Sequence, residues 1–217
     1  MRVTNTLFVF VVLFFRIILT ACAGGVFTDG RFQYMVEDYV YEGDSTVYIV
    51  GMEDTLRTAT ILVLPGSVVH NGYEYRVTGV GESAFARNGR VEHVVIGEGI
   101  EAIYDYAFFD SPLLQSIVIS STVDYISSSA FGFCSNLRSI SVDRRNEIFS
   151  SPEGCDVIVD EKNKELVLGC RSSVIPKGIE RIGESAFYGC LGMEELSIPE
   201  GLSLIHISEP TRLLSIS

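Results

Sequence analysis

The sequence predicts a β-rich α/β solenoid. Coils of 23 residues stack on one shared core, with an N-terminal β cap, an inserted β-hairpin and a C-terminal truncation. Three observations carry that prediction. The pair Ala-Phe recurs at Ala84-Phe85, Ala107-Phe108, Ala130-Phe131 and Ala186-Phe187, the first three pairs 23 residues apart. Val80, Ile103, Ile126 and Ile182 each stand four residues before the alanine. Downstream, VEHVVI, LQSIVI, LRSISV and MEELSI begin at Val91, Leu114, Leu137 and Met193. Self-similarity at a fixed period of roughly 20–50 residues marks a repeat architecture. A unit this short cannot bury its own apolar face, so neighbouring coils must bury each other's.

The first element is residues 1–21. One arginine precedes the apolar run Leu7–Phe15, which resumes at Ile17–Leu19 after Arg16. A charged start, a short apolar middle and a small-residue end describe a secretory signal better than a span. Arg16 would also sit inside the hydrocarbon at a cost of roughly 2.5–3.5 kcal/mol. The letters Leu19-Thr20-Ala21-Cys22 resemble a bacterial lipobox. That resemblance implies cleavage before Cys22, acylation of its thiol and new amino group, and a lipid-anchored product at the bacterial envelope, at the outer membrane or cell surface. An ordinary cleaved signal is the alternative.

Residues 22–76 differ in texture. CAGGVFTDGR reads as a short tether. RFQYMVEDYVYEGDSTVYIVGM and ATILVLPGSVVHNGYEYRV read as strands, with Asn71-Gly72 a strong hairpin turn between SVVH and YEYRV. A solenoid's first coil has an apolar end to cover, so this segment is expected to be the cap.

Residues 77–201 hold the repeats. In LQSIVIS, Ile117 and Ile119 point inward, with Ser116, Val118 and Ser120 outward. The Ala-Phe pair is expected to form a core layer, alanine allowing close backbone approach and phenylalanine filling the space. The downstream segments fit the L-x-x-L-x-L frame of leucine-rich repeats. IGESAFYGC, SSAFGFCSNLRSISV and SVIPKGIERIGESAFYGC resemble the BspA-like leucine-rich repeats of bacterial surface proteins. The resemblance runs from about Val77 to Gly201 and implies surface display, with adhesion to host or neighbouring cells. Its usual cysteine three after the phenylalanine is present as Cys134 and Cys190 and absent from the first two units.

The last Ala-Phe interval, 56 residues, exceeds one period by 33 and points to an expanded unit. Within it, residues 155–170 read CDVIVDEKNKELVLGC. Folding about Lys162-Asn163 sets Val157 opposite Leu168, Val159 opposite Leu166 and Cys155 opposite Cys170. Opposed strand residues lie within disulfide range in an oxidising compartment. Buried free thiols are the alternative, and that state is expected for Cys134 and Cys190. Residues 202–217 break the pattern. LSLIHISEPTR resembles the in-frame translation of a transposon-based sequencing adapter, so this tail is expected to be foreign and the natural chain to continue differently. A divergent C-terminal cap is the alternative. An uncapped last coil would offer an open strand edge, so the fragment is expected to self-associate.

The 217 residues carry a net charge of −12. Removing the segment before Cys22, which holds Arg2 and Arg16 and no acid, takes this to −14. Such a field repels a phosphate backbone, so no nucleic-acid partner is expected. No CxxC, HExxH, phosphate loop or dinucleotide fingerprint is present. His70 precedes the Asn-Gly turn and His93 faces outward, so both read as solvated surface and no catalytic residue is assigned. Two acidic columns recur, Glu101, Asp124 and Glu180, and Glu82, Asp105 and Glu184. A calcium ion between coils and a solvated acidic rim are the two readings, the rim preferred; no metal or cofactor is assigned.

The candidate binding face is the outward strand column His93, Val95, Ser116, Val118, Ser139, Ser141, Glu195 and Ser197. The first functional reading is an exported, lipid-anchored recognition or adhesion module for an extracellular protein or glycan. A second makes the repeats the targeting region of a larger surface enzyme. A third is an envelope protein with a purely structural role.

Overall fold

The computed structural model describes residues 25–37, 45–56, 58–191, 193, 196–199, 202, 204 and 205. Cys22, Glu195 and most of the tail lie outside them.

The N-terminal segment supplies β1 (Val26–Thr28), β2 (Phe32–Val36) and β3 (Thr46–Met52), paired antiparallel in that order. Strand β4 (Ile61–Leu64) follows, then β5 (Ser67–His70) and β6 (Tyr73–Val80). The β5–β6 hairpin turns at Asn71 and Gly72, with φ of 52° and 82°. Positive φ at both central residues gives the twist that tight hairpins need.

Each later coil contributes a longer strand and a two-residue one. These are β7 (His93–Ile96) with β8 (Ala102–Ile103), β9 (Ser116–Ile119) with β10 (Tyr125–Ile126), and then β11 (Ser139–Val142). The long strands form one parallel sheet in the order β11-β9-β7-β4. The short ones extend the N-terminal sheet, in the order β1-β2-β3-β6-β8-β10, with β5 alongside β6. The sheet therefore runs unbroken across residue 76, and the segment before it supplies β4 as an extra rung of the repeat sheet.

The α component of the expected fold class is absent: the described residues contain no α-helix and a single 3₁₀ turn, Asp54–Leu56. The Ala-Phe segments are tight turns instead. Left-handed backbone recurs within them, at Ser83 and Arg87, at Tyr106 and Asp110, and at Ser185 and Gly189. A right-handed helix cannot pass through such residues. The turns bond to one another as a third ladder. The Phe85 N–H donates to the Ala107 carbonyl at 2.8 Å, and the Phe108 N–H to the Ala130 carbonyl at 2.8 Å.

Those bonds set the ring spacing. Phe85 stacks on Phe108 at 5.2 Å and Phe108 on Phe131 at 5.1 Å, with interplanar angles of 14° and 1°. Phe32 of β2 packs edge-on against Phe85 at 6.1 Å, at the end of the column. Ala107, Ala130 and Ala186 are buried, and Ala84 is half-buried. Phe187 does not join the stack. It belongs to a separate core cluster with Val157, Val159, Leu166 and Ile182.

The expanded unit adds β12 (Phe149–Ser150), β13 (Ile158–Asp160), β14 (Glu165–Leu168) and β15 (Arg181–Ile182). Strand β16 (Leu204–Ile205), from the 202–217 segment, pairs parallel with β15 to complete one sheet in chain order. The β13–β14 hairpin holds Val159 opposite Leu166 as the alternation predicts, but Leu168 faces Ile158 rather than Val157. A bulge between Ile158 and Val159 absorbs one residue and carries Cys155 out of register with Cys170.

Candidate functional site

The face of the β4-β7-β9-β11 sheet is built by alternation. Leu62, Leu64, Val94, Ile96, Ile117, Ile119 and Ile140 point into the core and are buried. Their neighbours form two outward rows in parallel register. One row is Ile61, His93, Ser116 and Ser139; the other is Val63, Val95, Val118 and Ser141. Ile61, Val63 and Val118 are 56%, 57% and 40% exposed. The His93 Nδ1 lies 2.7 Å from the Ser116 hydroxyl, which ties the two rungs together. Ser139 and Ser141 are exposed. Ser197 is exposed but lies in no strand, and β11 ends this sheet among the described residues. Ser120, expected outward, is buried and donates to the Gly97 carbonyl at 3.0 Å, fixing the corner after the strand.

Ile61 and Val63 were not expected on this face. They precede the first Ala-Phe pair, so no repeat column points to them, although ILVL does alternate correctly.

A second surface feature is aromatic. Tyr48, Tyr104 and Tyr125 climb the N-terminal sheet with centroids 6.5 and 6.1 Å apart. Burial, then the nearby Glu37, raises the Tyr104 pKa. The acidic columns are partly bonded. Glu101 pairs with Arg76 at 3.3 Å, and Asp105 accepts from the Ser127 hydroxyl and, at 3.2 Å, from Ser129. Among the described residues no three His, Cys, Asp or Glu side chains are grouped to hold a metal ion. A cleft of about 280 Å³ opens where the hairpin interrupts the stack, between Tyr125 and Val167. Its Glu165 is held by Arg181 at 2.5 Å.

The histidines do not assemble a catalytic set. His70 is half-buried, stacked on Phe27 at 4.2 Å, with its Nε2 3.0 Å from the Asn71 amide. It is thus a packing residue and not freely solvated. The four described cysteines are free thiols. The Cys170 thiol donates to the Asp156 carbonyl at 3.5 Å, a contact the bulge creates in place of a partner at Cys155. Burial pushes both Cys134 and Cys190 up to about 12.

Stacked coils with parallel strands and a turn ladder define a leucine-rich-repeat protein. The chain matches the BspA type leucine rich repeat region in six copies over residues 72–152 and 168–209, more than half its length, and belongs to that family. A search of curated proteins returned no match. Among solved structures, a leucine-rich repeat protein from Bacteroides capillosus is similar at 25% identity, over 58% of this chain and 88% of that one, with a TM-score of 0.48. A leucine rich cell surface protein from Faecalibacterium prausnitzii is 16% identical over 83% and 72%, with a TM-score of 0.42. The pneumococcal vaccine antigen PcpA is 16% identical with a TM-score of 0.38; 84% of this chain aligns to 66% of it.

Proposed function

We propose that the protein is an exported surface module, lipid-anchored through Cys22, that recognises an extracellular protein or glycan on the β4-β7-β9-β11 face. The observation that carries this reading is the stripe Val63-Val95-Val118, lying across parallel strands with Ile61 beside it and serines at its far end. Apolar area removed from water is worth about 25 cal/mol per Å², so a partner that covers these side chains gains free energy that water denies them. Short hydroxyls at the edge add hydrogen bonds without long side chains to immobilise. An exposed apolar stripe favours a protein ligand over a sugar. Membership of the repeat family supports interaction over catalysis.

The test is a binding screen of the full chain against host-matrix proteins, bacterial surface proteins and a glycan array. The substitution Val118→Lys should abolish the positive signal at unchanged melting temperature, because this side chain points into solvent. No ligand across the panel, or binding indifferent to Val118→Lys, overturns the reading. The anchor is tested separately: Cys22→Ala should move the protein from the membrane to the soluble fraction of the source cell and end incorporation of labelled palmitate.

A further inference from the structure

We propose that a second site, at the junction of the cap and the first coil, binds a carboxylate-bearing sugar. A cleft of about 580 Å³ opens there, lined by Gln33, Met52, Thr58, Arg87, Asn88 and Arg90. Its size falls in the range of small-molecule sites, roughly 300–1,000 Å³. It shares no residue with the strand face described above.

The argument starts from one column of the repeat. The residue three after each phenylalanine is Asn88, Ser111, Cys134 and Cys190. In the later coils this side chain donates to a carbonyl of the layer before it. Ser111 Oγ donates to Phe85 at 3.3 Å, Cys134 Sγ to Phe108 at 3.2 Å, and Cys190 Sγ to Gly169 at 3.5 Å. Asn88 stands in the first of these coils, and the cap offers it only the Met52 sulfur, 3.8 Å from Nδ2. A thioether is a weak acceptor. Asn88 is only 8% exposed, and its Oδ1 is fixed by the N–H groups of Arg90 at 3.0 Å and Val91 at 2.9 Å. The carboxamide therefore cannot flip, and its NH₂ has only the Met52 sulfur as acceptor, both residues lining the cleft. Buried donors left in that state are costly and rare.

The charge agrees. Arg31, Arg76, Arg145 and Arg181 each pair with a carboxylate. Arg87 and Arg90, which line the cleft, form no ion pair among the described residues; Arg138, Arg144 and Arg171 likewise form none but stand exposed elsewhere on the surface. Arg87 is held in the left-handed conformation, φ 57°, with its N–H donating to the Phe109 carbonyl at 2.7 Å. Two free guanidinium forks and a fixed amide donor match a carboxylate, which accepts two parallel bonds from one arginine. Gln33 spends its NH₂ on Glu53 at 3.2 Å, leaving its carbonyl for a donor. Thr58 adds a hydroxyl. A ligand that presents one carboxylate and several hydroxyls, at the size of a single ring, satisfies this set.

The experiment is titration of the full chain in detergent with D-glucuronate, D-glucose and N-acetylglutamate, followed by NMR of the Asn88 side-chain amide. Glucuronate should shift that resonance saturably, and neither glucose nor N-acetylglutamate should. Asn88→Asp keeps the oxygen that caps Arg90 and Val91 and replaces the donor with an anion. It should weaken glucuronate binding at least about tenfold at unchanged melting temperature, as should Arg87→Gln with Arg90→Gln. Raising the salt should weaken the wild type too, because both arginines are exposed. Equal shifts with glucose, equal shifts with N-acetylglutamate, unchanged binding in Asn88→Asp, or no response to glucuronate each overturn the proposal.

Discussion

Phe108 is held on both faces, by Phe85 at 5.2 Å and Phe131 at 5.1 Å, and is almost fully buried. Removing it leaves a void that two rings and their turns cannot close together. Phe108→Ala should cost about 3–5 kcal/mol in urea unfolding. Phe187→Ala, outside the stack, should lower stability without disturbing the Phe85–Phe131 column. The thiols make a pH prediction. Burial raises Cys134 and Cys190 from an ordinary 9.0 to about 12, so the folded state favours the protonated thiol. This stabilisation is complete below pH 9 and is lost as pH rises through about 12. Unfolding midpoints should therefore fall across that window, and Cys134→Ser with Cys190→Ser should flatten the fall.

At the scale of elements, the Ala-Phe turns are the least replaceable pieces. Gly189 sits at φ +76°, and a Cβ there would meet the Phe133 Cα at 2.4 Å. Gly189→Ala should destabilise by more than about 1 kcal/mol, since strain and a backbone clash add. The hairpin bulge separates Cys155 from Cys170, so mass analysis of denatured, unreduced protein should find all four described thiols open to alkylation. A disulfide there would require the β13–β14 register to shift by one residue.

Over the whole molecule, stability is distributed like a stack of tiles. The main core runs from Phe32 to Cys170, and the nine-residue cluster around Phe187 packs as a smaller second unit. Local opening should begin in the smaller unit. In native-state hydrogen exchange, the Gly183 amide should exchange before those of Phe108 and Ser127. Equal rates would mean that the two clusters open together.

The amino-acid sequence alone made the inward columns legible, because they depend on apolar residues recurring at fixed spacing. It read the Ala-Phe column as one layer of four, whereas the structure stacks Phe85, Phe108 and Phe131 and places Phe187 in a separate cluster. Simple alternation also located His93, Val95, Ser116, Val118, Ser139 and Ser141 on one strand face, but not Ser197, which lies in no strand, while Glu195 lies outside the described residues. Tertiary structure decided the rest. Ile61 and Val63 reach that face only because β4 pairs with β7 across a non-repeating segment. The α component of the expected class gives way to left-handed turns at the Ala-Phe segments, whose backbone groups bond across coils in the inter-coil ladder. Asn88 became notable only once the layer before it was seen to be the non-repeating N-terminal segment, where the carbonyl that Ser111, Cys134 and Cys190 use is replaced by the Met52 sulfur. Periodic burial is written in local order; which end of a stack meets which neighbour is not.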